Sequence, residues 1–492
     1  MKNYKEYFRA KKVTCLGLGL LGGMLNDALF LLDCGADLTI TDLKSEKELA
    51  SSLNKLNKRK SKNGSYRLVL GRHDLTDFQK ADFIIQPGNI PPDSLYLLEA
   101  QKNNIPIYES ESLFFQYLPA GITTIGVTGT RGKTTTTRLI YEILKSIAPR
   151  LCSGHLKTRV FLGGNIQGKS TLALLKDVRL GDIVVMELDS WCLHGLGEIK
   201  KSPNISVFTN FMSDHLNFYL KTIDEHLPPS LKLRWAEEKY FADKAQIYLH
   251  QTRNDFLICG EKIAKKIGKV KSHSSQIRSK FDGARKIIAR VSDIPKDWKI
   301  KILGDHNLEN IACAIKAVDA LFKLSPAQST PWCTLKKVVE NFGGVEGRLQ
   351  FIKNYKGIKI YNDTTATTPE ALEVALKTLR ENMKGKGRLI TISGGADKKL
   401  DNKQAGKHII KYADYAFLLN GSGTDKIKEA ILKKFKGQSE ICNSLKLAVN
   451  KAFAVAKKGD VIVLSPGFAS FGMFKNEYDR GDQFKKLIHA LK

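Results

Sequence analysis

The stretch Thr123-Thr124-Ile125-Gly126-Val127-Thr128-Gly129-Thr130-Arg131-Gly132-Lys133-Thr134-Thr135 decides the fold of this chain. A β-rich apolar run enters a glycine-rich turn, and a segment with helical character follows it. Such a turn points backbone N–H groups and the positive end of a helix at phosphate oxygens. Lys133 is expected to neutralise the β- and γ-phosphates, and the Thr134 hydroxyl to bind Mg²⁺. The stretch therefore predicts a nucleotide-binding loop.

Apolar runs on either side of this loop predict an α/β protein. Short β-rich runs alternate with helical stretches, a pattern typical of parallel sheets covered by helices. The predicted strands are residues 13–16, 38–41, 83–85, 123–127, 183–188, 205–209, 358–361, 389–393, 415–419 and 461–464. Breaks near residues 118–121 and 342–344 divide the 492 residues. We therefore predict three α/β domains, which are residues 1–119, 120–344 and 345–492, the first and third of them Rossmann-like.

The net charge of +29 would favour polyanionic partners such as nucleic acid. However, the lysines are spread along the chain, and no aromatic residues interleave basic runs such as 57–62, so no nucleic-acid partner is expected. No apolar run approaches membrane-spanning length, and the first residues lack a secretory pattern. A cytoplasmic protein is therefore expected. The eight cysteines contain no C-x-x-C pair, which favours reduced core residues over disulfides or a metal site.

A second glycine loop follows the first predicted strand. Gly17-Leu18-Gly19-Leu20-Leu21-Gly22 has G-x-G-x-x-G spacing, and Asp42 ends the next predicted strand about twenty residues later. Taken alone, this pattern is a dinucleotide-binding fingerprint and suggests a dehydrogenase. The pattern alone is weak, and the second nucleotide loop at residues 123–135 makes that interpretation redundant.

Gly129-Thr130-Arg131-Gly132-Lys133-Thr134-Thr135 resembles the phosphate loop of the Mur ligase family, although Arg131 replaces the more usual Ser or Asn. Further elements extend the resemblance over nearly the whole chain, in the family's order. One is Gly304-Asp305-His306-Asn307-Leu308-Glu309-Asn310, whose amide side chains suit an adenine or ribose edge. The ATP-binding residues that the resemblance implies are Gly129, Thr130, Gly132, Lys133, Thr134, Thr135, Asn307, Asn310, Arg348 and Asp363.

The resemblance also implies a magnesium site. Glu187 lies at the end of a predicted strand, where a carboxylate suits a hard cation. Lys244 stands where several family members carry a carbamylated lysine, and a carbamate can hold Mg²⁺. Nearby cations lower the pKa of a lysine and so make the neutral amine accessible. The implied metal ligands are Thr134, Glu187, His215 and carbamylated Lys244, while Asp189 and Cys192 depart from the family's Ser and Gln.

In the family, the N-terminal domain holds the UDP group of the substrate. Gly163-Gly164-Asn165-Ile166 is more particular to the glutamate-adding branch than the phosphate loop is. The residues implied to contact a UDP-muramoyl substrate are Gly19, Leu20, Leu21, Gly22, Asp42, Gly88 and Asn165.

Elements of the third domain imply a glutamate site. Leu464-Ser465-Pro466-Gly467-Phe468-Ala469-Ser470 resembles a long family element, which Arg480 and Gly481 follow. Three positions depart from the family, which usually has His at 347, Lys at 365 and Asp at 472, where this chain has Gly347, Thr365 and Gly472. The implied glutamate-binding residues are Thr367, Lys398 and Ser470.

The resemblance implies an ATP- and Mg²⁺-dependent ligase that adds glutamate, with D-glutamate expected, to UDP-N-acetylmuramoyl-L-alanine in peptidoglycan precursor synthesis. It acts through an acyl phosphate, and a monomer is expected. The implied catalytic residues are Lys133, His215, Lys244, Arg348 and Lys398. Two alternatives stay open. A folylpolyglutamate synthetase shares the phosphate loop but not Gly164-Asn165 or the 465–470 run, and a basic nucleic-acid-dependent P-loop NTPase would need strand-contacting aromatics.

Overall fold

The chain divides into two compact units, which are residues 1–296 with 309–338, and residues 297–308 with 339–492. The computed structural model describes all residues except 1–2, 21, 59–62, 89, 92, 151, 154–155, 213, 215, 222–227, 270–282, 325–328, 399–400, 436 and 492. Three large sheets flanked by helices confirm the predicted α/β class. Within the described parts of the chain, no helix combines the length and apolar character needed to cross a membrane.

The first sheet of the first unit is parallel, in the order β3-β2-β1-β4-β5. Its strands are β1 (Lys12–Leu16), β2 (Asp37–Asp42), β3 (Ser65–Leu70), β4 (Phe83–Ile85) and β5 (Ile107–Tyr108). Its helices are α1 (Tyr4–Phe8), α2 (Gly23–Asp33), α3 (Glu46–Lys58), α4 (Thr76–Gln79), α5 (Leu95–Lys102) and α6 (Ser110–Tyr117). The strand order reverses beside β1, so the Gly17 loop lies at the switch point, where open α/β sheets bind ligands.

The second sheet of this unit is also parallel, in the order β13-β12-β11-β6-β10-β9. The strands of this region, including a separate β7–β8 pair, are β6 (Thr123–Thr128), β7 (Cys152–Ser153), β8 (Leu156–Lys157), β9 (Val160–Gly164), β10 (Ile183–Glu187), β11 (Ile205–Phe208), β12 (Phe256–Gly260) and β13 (Arg285–Ala289). The helices are α7 (Lys133–Ile147), α8 (Ser190–Glu198), α9 (Leu216–Leu220), α10 (Pro229–Leu249) and α11 (Glu261–Lys269). Because β6 lies between β10 and β11, the ends of both strands flank the phosphate loop.

A single apolar core joins the two sheets of the first unit. Phe8 and Phe114 from the N-terminal part belong to the same buried cluster as Leu172, Val184 and Leu196 from the central part. Each fully buried side chain of this size contributes about 1.5–3 kcal/mol. The continuous core therefore holds the glycine loop after β1 in a fixed position relative to the central sheet.

The helices α12 (Asp305–Leu324) and α13 (Trp332–Asn341) follow, and each contributes residues to both units. The sheet of the second unit has the order β14-β15-β19-β16-β17-β18, and only β14 with β15 is antiparallel. Its strands are β14 (Gln350–Tyr355), β15 (Ile358–Asn362), β16 (Leu389–Gly394), β17 (Tyr415–Leu419), β18 (Ser439–Cys442) and β19 (Val461–Leu464). Its helices are α14 (Pro369–Asn382), α15 (Asn402–Tyr412), α16 (Lys428–Lys434), α17 (Leu445–Val455) and α18 (Glu477–His489).

Candidate functional site

The phosphate loop after β6 is held by the segment that follows β11. The Arg131 N–H donates to Asn210 Oδ1 at 2.8 Å, and the Arg131 carbonyl accepts from Thr209 Oγ1 at 2.7 Å. Lys133 Nζ donates to the Gly129 carbonyl at 3.0 Å, so its side chain folds back over the loop. These hydrogen bonds involve only the backbone of residue 131. The replacement of the family's usual Ser or Asn by Arg131 therefore leaves the backbone conformation of the loop intact.

Two glycines of this loop allow close approach of neighbouring side chains. Gly132 begins α7 with φ +81°, and a Cβ there would lie 2.2 Å from Asn310 Oδ1. A Cβ on Gly129 would lie 2.0 Å from Thr209 Oγ1. The structure thus brings Asn310 of α12, which is buried, against the loop. Asn307 belongs to the second unit, where its Nδ2 donates to the Leu303 carbonyl at 2.7 Å.

Lys244 is almost fully buried on α10, with 1% of its surface exposed. Its Nζ donates to the Gly129 carbonyl at 3.1 Å, the same carbonyl that Lys133 contacts. Burial, together with the charge of Lys133, lowers the pKa of the Lys244 side chain to about 7, against the opposing effect of nearby aspartates. A substantial share of this side chain is therefore the neutral amine near neutral pH, which is the form that reacts with CO₂.

The described donors around the loop suit a magnesium ion. Glu187 is the buried last residue of β10 and lies in register with Val127 of β6, while Thr134 is in the first turn of α7. Hydroxyl and carboxylate oxygens are the ligands that Mg²⁺ prefers, and a carbamate on Lys244 would add another. His215 lies outside the described residues. Among the residues that are described, no cluster of three or more His, Cys, Asp or Glu side chains could hold a metal.

The glycine loop after β1 is held by Asp42. Its Oδ2 accepts from the N–H groups of Leu18 and Gly19, both at 3.0 Å, and the residue is buried. The structure thus places this carboxylate on the loop itself, and its contact with a UDP-muramoyl substrate stays a prediction. Of the other predicted residues, Leu20 is exposed, and Leu21 lies outside the described residues.

Two other residues predicted to bind the nucleotide-linked substrate, Gly22 and Gly88, lie at the junction between the two sheets of the first unit, and a third, Asn165, lies within the central part. A Cβ on Gly22 would lie 3.5 Å from Gly168 Cα, and one on Gly88 would lie 2.7 Å from Trp191 Cβ. Asn165 Nδ2 donates to Asp189 Oδ2 at 3.0 Å. In addition, the Asn165 N–H donates to the Glu187 carbonyl at 2.7 Å. The predicted substrate residue Asn165 is therefore directly beside the predicted magnesium ligand.

Hydrogen bonds to buried carboxylates also connect the two sides of this junction. These carboxylates were not predicted from the sequence. Asp27 Oδ1 on α2 accepts from Ser110 Oγ at 2.7 Å and from Ser170 Oγ in the central part. Glu111 Oε1 accepts from Thr171 Oγ1 at 2.7 Å. Burial raises the pKa of Asp27 to about 7. The available signal was an acid in the middle of a mostly apolar helix, because burying a carboxylate is costly unless it has partners.

In the second unit, the structure brings the predicted glutamate-binding residues to neighbouring loops. Lys398 Nζ donates to Thr367 Oγ1 at 2.9 Å. The Gly467 N–H donates to the Ala366 carbonyl at 2.7 Å, which joins the loop after β15 to the loop after β19 that carries buried Ser470. An ammonium group and a hydroxyl on adjoining loops can bind an acid with two carboxylates.

Asp363 connects the start of the loop after β15 to the start of the loop after β19. Its Oδ2 accepts from Ser465 Oγ at 2.8 Å, and its Oδ1 accepts from the Leu349 N–H at 2.9 Å. Burial raises the pKa of Asp363 to about 7. The predicted ATP-binding residue Arg348 directly precedes Leu349 in the chain and lies close enough to Asp363 to favour its ionised form.

Two departures from the family pattern are direct neighbours. Gly347 has φ +72°, and a Cβ there would lie 2.8 Å from Thr364 Cγ2. Thr365 Oγ1 donates to the Gly347 carbonyl at 2.9 Å, and the Thr365 N–H donates to it at 3.0 Å. A His at position 347 would therefore displace Thr364. Since Thr365 also donates both of its hydrogen bonds to the Gly347 carbonyl, the two departures from the family pattern are structurally coupled.

Comparison with known proteins gives consistent matches. Residues 127–318 match the Mur ligase middle domain, and residues 347–468 match the Mur ligase glutamate ligase domain. The chain is 34% identical over 482 residues to the UDP-N-acetylmuramoylalanine–D-glutamate ligase of Borreliella afzelii, with 97% of each chain covered.

Solved structures show the same fold. A UDP-N-acetylmuramate–alanine ligase from Thermotoga maritima matches with a TM-score of 0.53 at 19% identity, over 98% of this chain and 100% of that one. The MurF ligase from Thermotoga maritima in complex with ADP matches with a TM-score of 0.51 at 15% identity, over 99% of both chains.

Proposed function

The chain belongs to the Mur ligase family, and we propose that it is the ATP-dependent enzyme that joins D-glutamate to the alanine carboxylate of UDP-N-acetylmuramoyl-L-alanine. The observation that carries this proposal is the likeness, over 97% of both chains, to a ligase of that name. The Gly163-Gly164-Asn165-Ile166 element supports the same proposal, because it resembles that of the glutamate-adding branch more specifically than the phosphate loop does. The Asn165 N–H donates to the carbonyl of Glu187, whose strand β10 pairs with β6. A folylpolyglutamate synthetase would share the loop without this element.

The first step transfers the γ-phosphoryl group of ATP to the alanine carboxylate, which gives an acyl phosphate and ADP. Phosphoryl transfer requires mainly alignment and charge neutralisation from the protein. The backbone N–H groups of the phosphate loop and the ammonium group of Lys133 supply both to the triphosphate. A bound Mg²⁺ would neutralise further phosphate charge, held by Thr134, Glu187, His215 and carbamylated Lys244.

In the second step, the neutral amine of glutamate attacks the acyl carbon, phosphate leaves with the electrons of the broken C–O bond, and the nitrogen releases one proton to solvent to give the neutral amide. The role of the protein is to orient the amine. Lys398, bonded to Thr367, would pair with the α-carboxylate, and Ser470 would bind the side-chain carboxylate. Arg348 would contact the ATP phosphates. The cytoplasmic location, the monomeric state and the three-domain boundaries stay predictions.

The proposal is tested by measuring phosphate release from ATP in the presence of Mg²⁺ and UDP-N-acetylmuramoyl-L-alanine. Reactions with D-glutamate, L-glutamate and neither are compared, with Lys133→Met as the inactive control. We expect release that depends on D-glutamate. Dependence on L-glutamate would overturn the stereochemical assignment, and release that needs neither amino acid would overturn the ligase assignment.

A further inference from the structure

Arg480 on α18 is the largest fully buried side chain among the described residues, with 0% of its surface exposed. Burying a guanidinium is costly unless its N–H groups are bonded. Within the described parts of the chain, Arg480 forms no direct ion pair, and its guanidinium donates to three neutral oxygens. The nearby carboxylates of Asp363 and Glu477 favour its charged form, and the Phe474 ring lies against it. The hydrogen bonds are therefore the direct polar links between this buried charge and the surrounding loops.

The three partners of Arg480 lie on two different loops. Nε donates to Thr364 Oγ1 at 3.1 Å and Nη2 to the Thr364 carbonyl at 2.8 Å, on the loop after β15. Nη1 donates to the Phe468 carbonyl at 3.3 Å, on the loop after β19. The first loop continues to Thr367, and the second continues to Ser470. The planar guanidinium thus fixes one loop against the other.

The position of Arg480 is itself fixed by its helix. Asn476 caps the start of α18 by accepting from the N–H groups of Tyr478 and Asp479. Gly481 lets the helix approach the loop closely, because a Cβ there would lie 2.6 Å from Thr364 Cγ2. Thr364 Oγ1 also donates to the Glu477 carbonyl at 2.7 Å. The helix and the loop therefore form one rigid support.

We propose that Arg480 is a positioning residue of the glutamate site, which sets the spacing of Thr367 and Ser470 to match the two carboxylates of the amino acid. The inference rests on the proposed function, because it takes glutamate as the ligand of these loops. The geometry of the guanidinium matters here, since its fork reaches both loops at once and a lysine ammonium cannot. Positioning groups of this kind support contacts that must be held within a fraction of an ångström.

The test is a steady-state comparison of Arg480→Lys with wild type. We expect the KM for D-glutamate to rise at least about tenfold, while the KM for the UDP-linked substrate changes less than about twofold. Arg388→Lys is the matched control, because the guanidinium of Arg388, just before the start of β16, also contacts two segments of this unit. It donates to Tyr415 Oη of β17 and to the Val455 carbonyl and Asp460 in the connection between α17 and β19. The control should lower the melting temperature and leave the KM for D-glutamate within about twofold.

An Arg480→Lys enzyme that is folded by circular dichroism but keeps the wild-type KM for D-glutamate would overturn the inference, as would an equal rise in both KM values. If the variant does not fold, Thr364→Val tests the same link, because it removes the hydroxyl that accepts from Nε and that donates to the Glu477 carbonyl, and leaves the bonds of Nη1 and Nη2 in place. We expect about a threefold rise in the KM for D-glutamate, and no rise would also overturn the inference. A wild-type enzyme without glutamate-dependent phosphate release would instead refute the proposed function.

Discussion

Replacing Asp27 by Asn tests the buried junction between the two sheets of the first unit. Both serine hydroxyls, from Ser110 and Ser170, donate to the same oxygen of Asp27. Asparagine retains a carbonyl oxygen at that position and can keep both bonds. The substitution therefore removes the charge with little change in shape.

The magnitude follows from the pKa of Asp27, which burial raises from 3.8 to about 7. Because the folded state then binds a proton more tightly than the unfolded state, stability falls as the pH rises from about 4 to about 7. A shift of about 3 units corresponds to about 4 kcal/mol at most, fully expressed above pH 7. The new amide N–H₂ must itself find an acceptor, so we expect a net gain of about 1–3 kcal/mol in the variant at pH 8.

The assay is urea unfolding of both proteins at pH 4.5, 6 and 8, roughly spanning this titration. The variant should exceed wild type in the free energy of unfolding at pH 8, and the difference should shrink toward pH 4.5. Asp33→Asn on the same helix is the control, because Asp33 pairs with Lys176 and its loss should only weaken the protein. A difference independent of pH, or a less stable variant at pH 8, would refute the assignment of a destabilising buried charge.

Three further substitutions probe the sites directly. Gly164→Ala would place a Cβ 2.0 Å from the Glu187 carbonyl, so the KM for the UDP-linked substrate should rise at least about tenfold. Gly459→Ala is the control, because Gly459 also has a positive φ but has open space around its Cβ position. This control should leave the KM for the UDP-linked substrate unchanged. Lys398→Met should raise the KM for D-glutamate about tenfold or more without changing that of the UDP-linked substrate, and equal changes in both would contradict the proposed role. Lys244→Met should abolish phosphate release. The pKa of Lys244 is about 7 in the folded state and 10.5 in the unfolded state, so the stability of the wild-type protein should rise between these pH values. Melting curves of the variant should lack that rise.

The sequence predicted most inner strands of the three sheets, because burial on both faces demands continuous apolar runs, but it missed the inner strand Phe256–Gly260. Strands Phe83–Ile85 and Tyr415–Leu419 were predicted with the observed bounds. The helix Glu261–Lys269 and the edge strand Arg285–Ala289 were not predicted. An edge strand with exposed side chains lacks the apolar run that reveals a central one.

Local motifs and long-range contacts differed in how far they could be predicted. The phosphate loop could be located from its glycine spacing, because the backbone conformation requires those glycines. The contacts of Arg480 with Thr364 and Phe468 could not be predicted from the sequence. They join separate loops to a helix whose packing is visible only in the folded structure. The bonds of Asp27 to Ser110 and Ser170 are hidden for the same reason.

The most direct test of the account is the mass of the nucleotide sugar recovered after incubation of the protein with ATP, Mg²⁺, UDP-N-acetylmuramoyl-L-alanine and D-glutamate. The account predicts conversion to a product that carries one added glutamate in amide linkage, formed together with one ADP and one phosphate, and absent with Lys133→Met. An unchanged nucleotide sugar in the presence of a folded protein that hydrolyses ATP would contradict it.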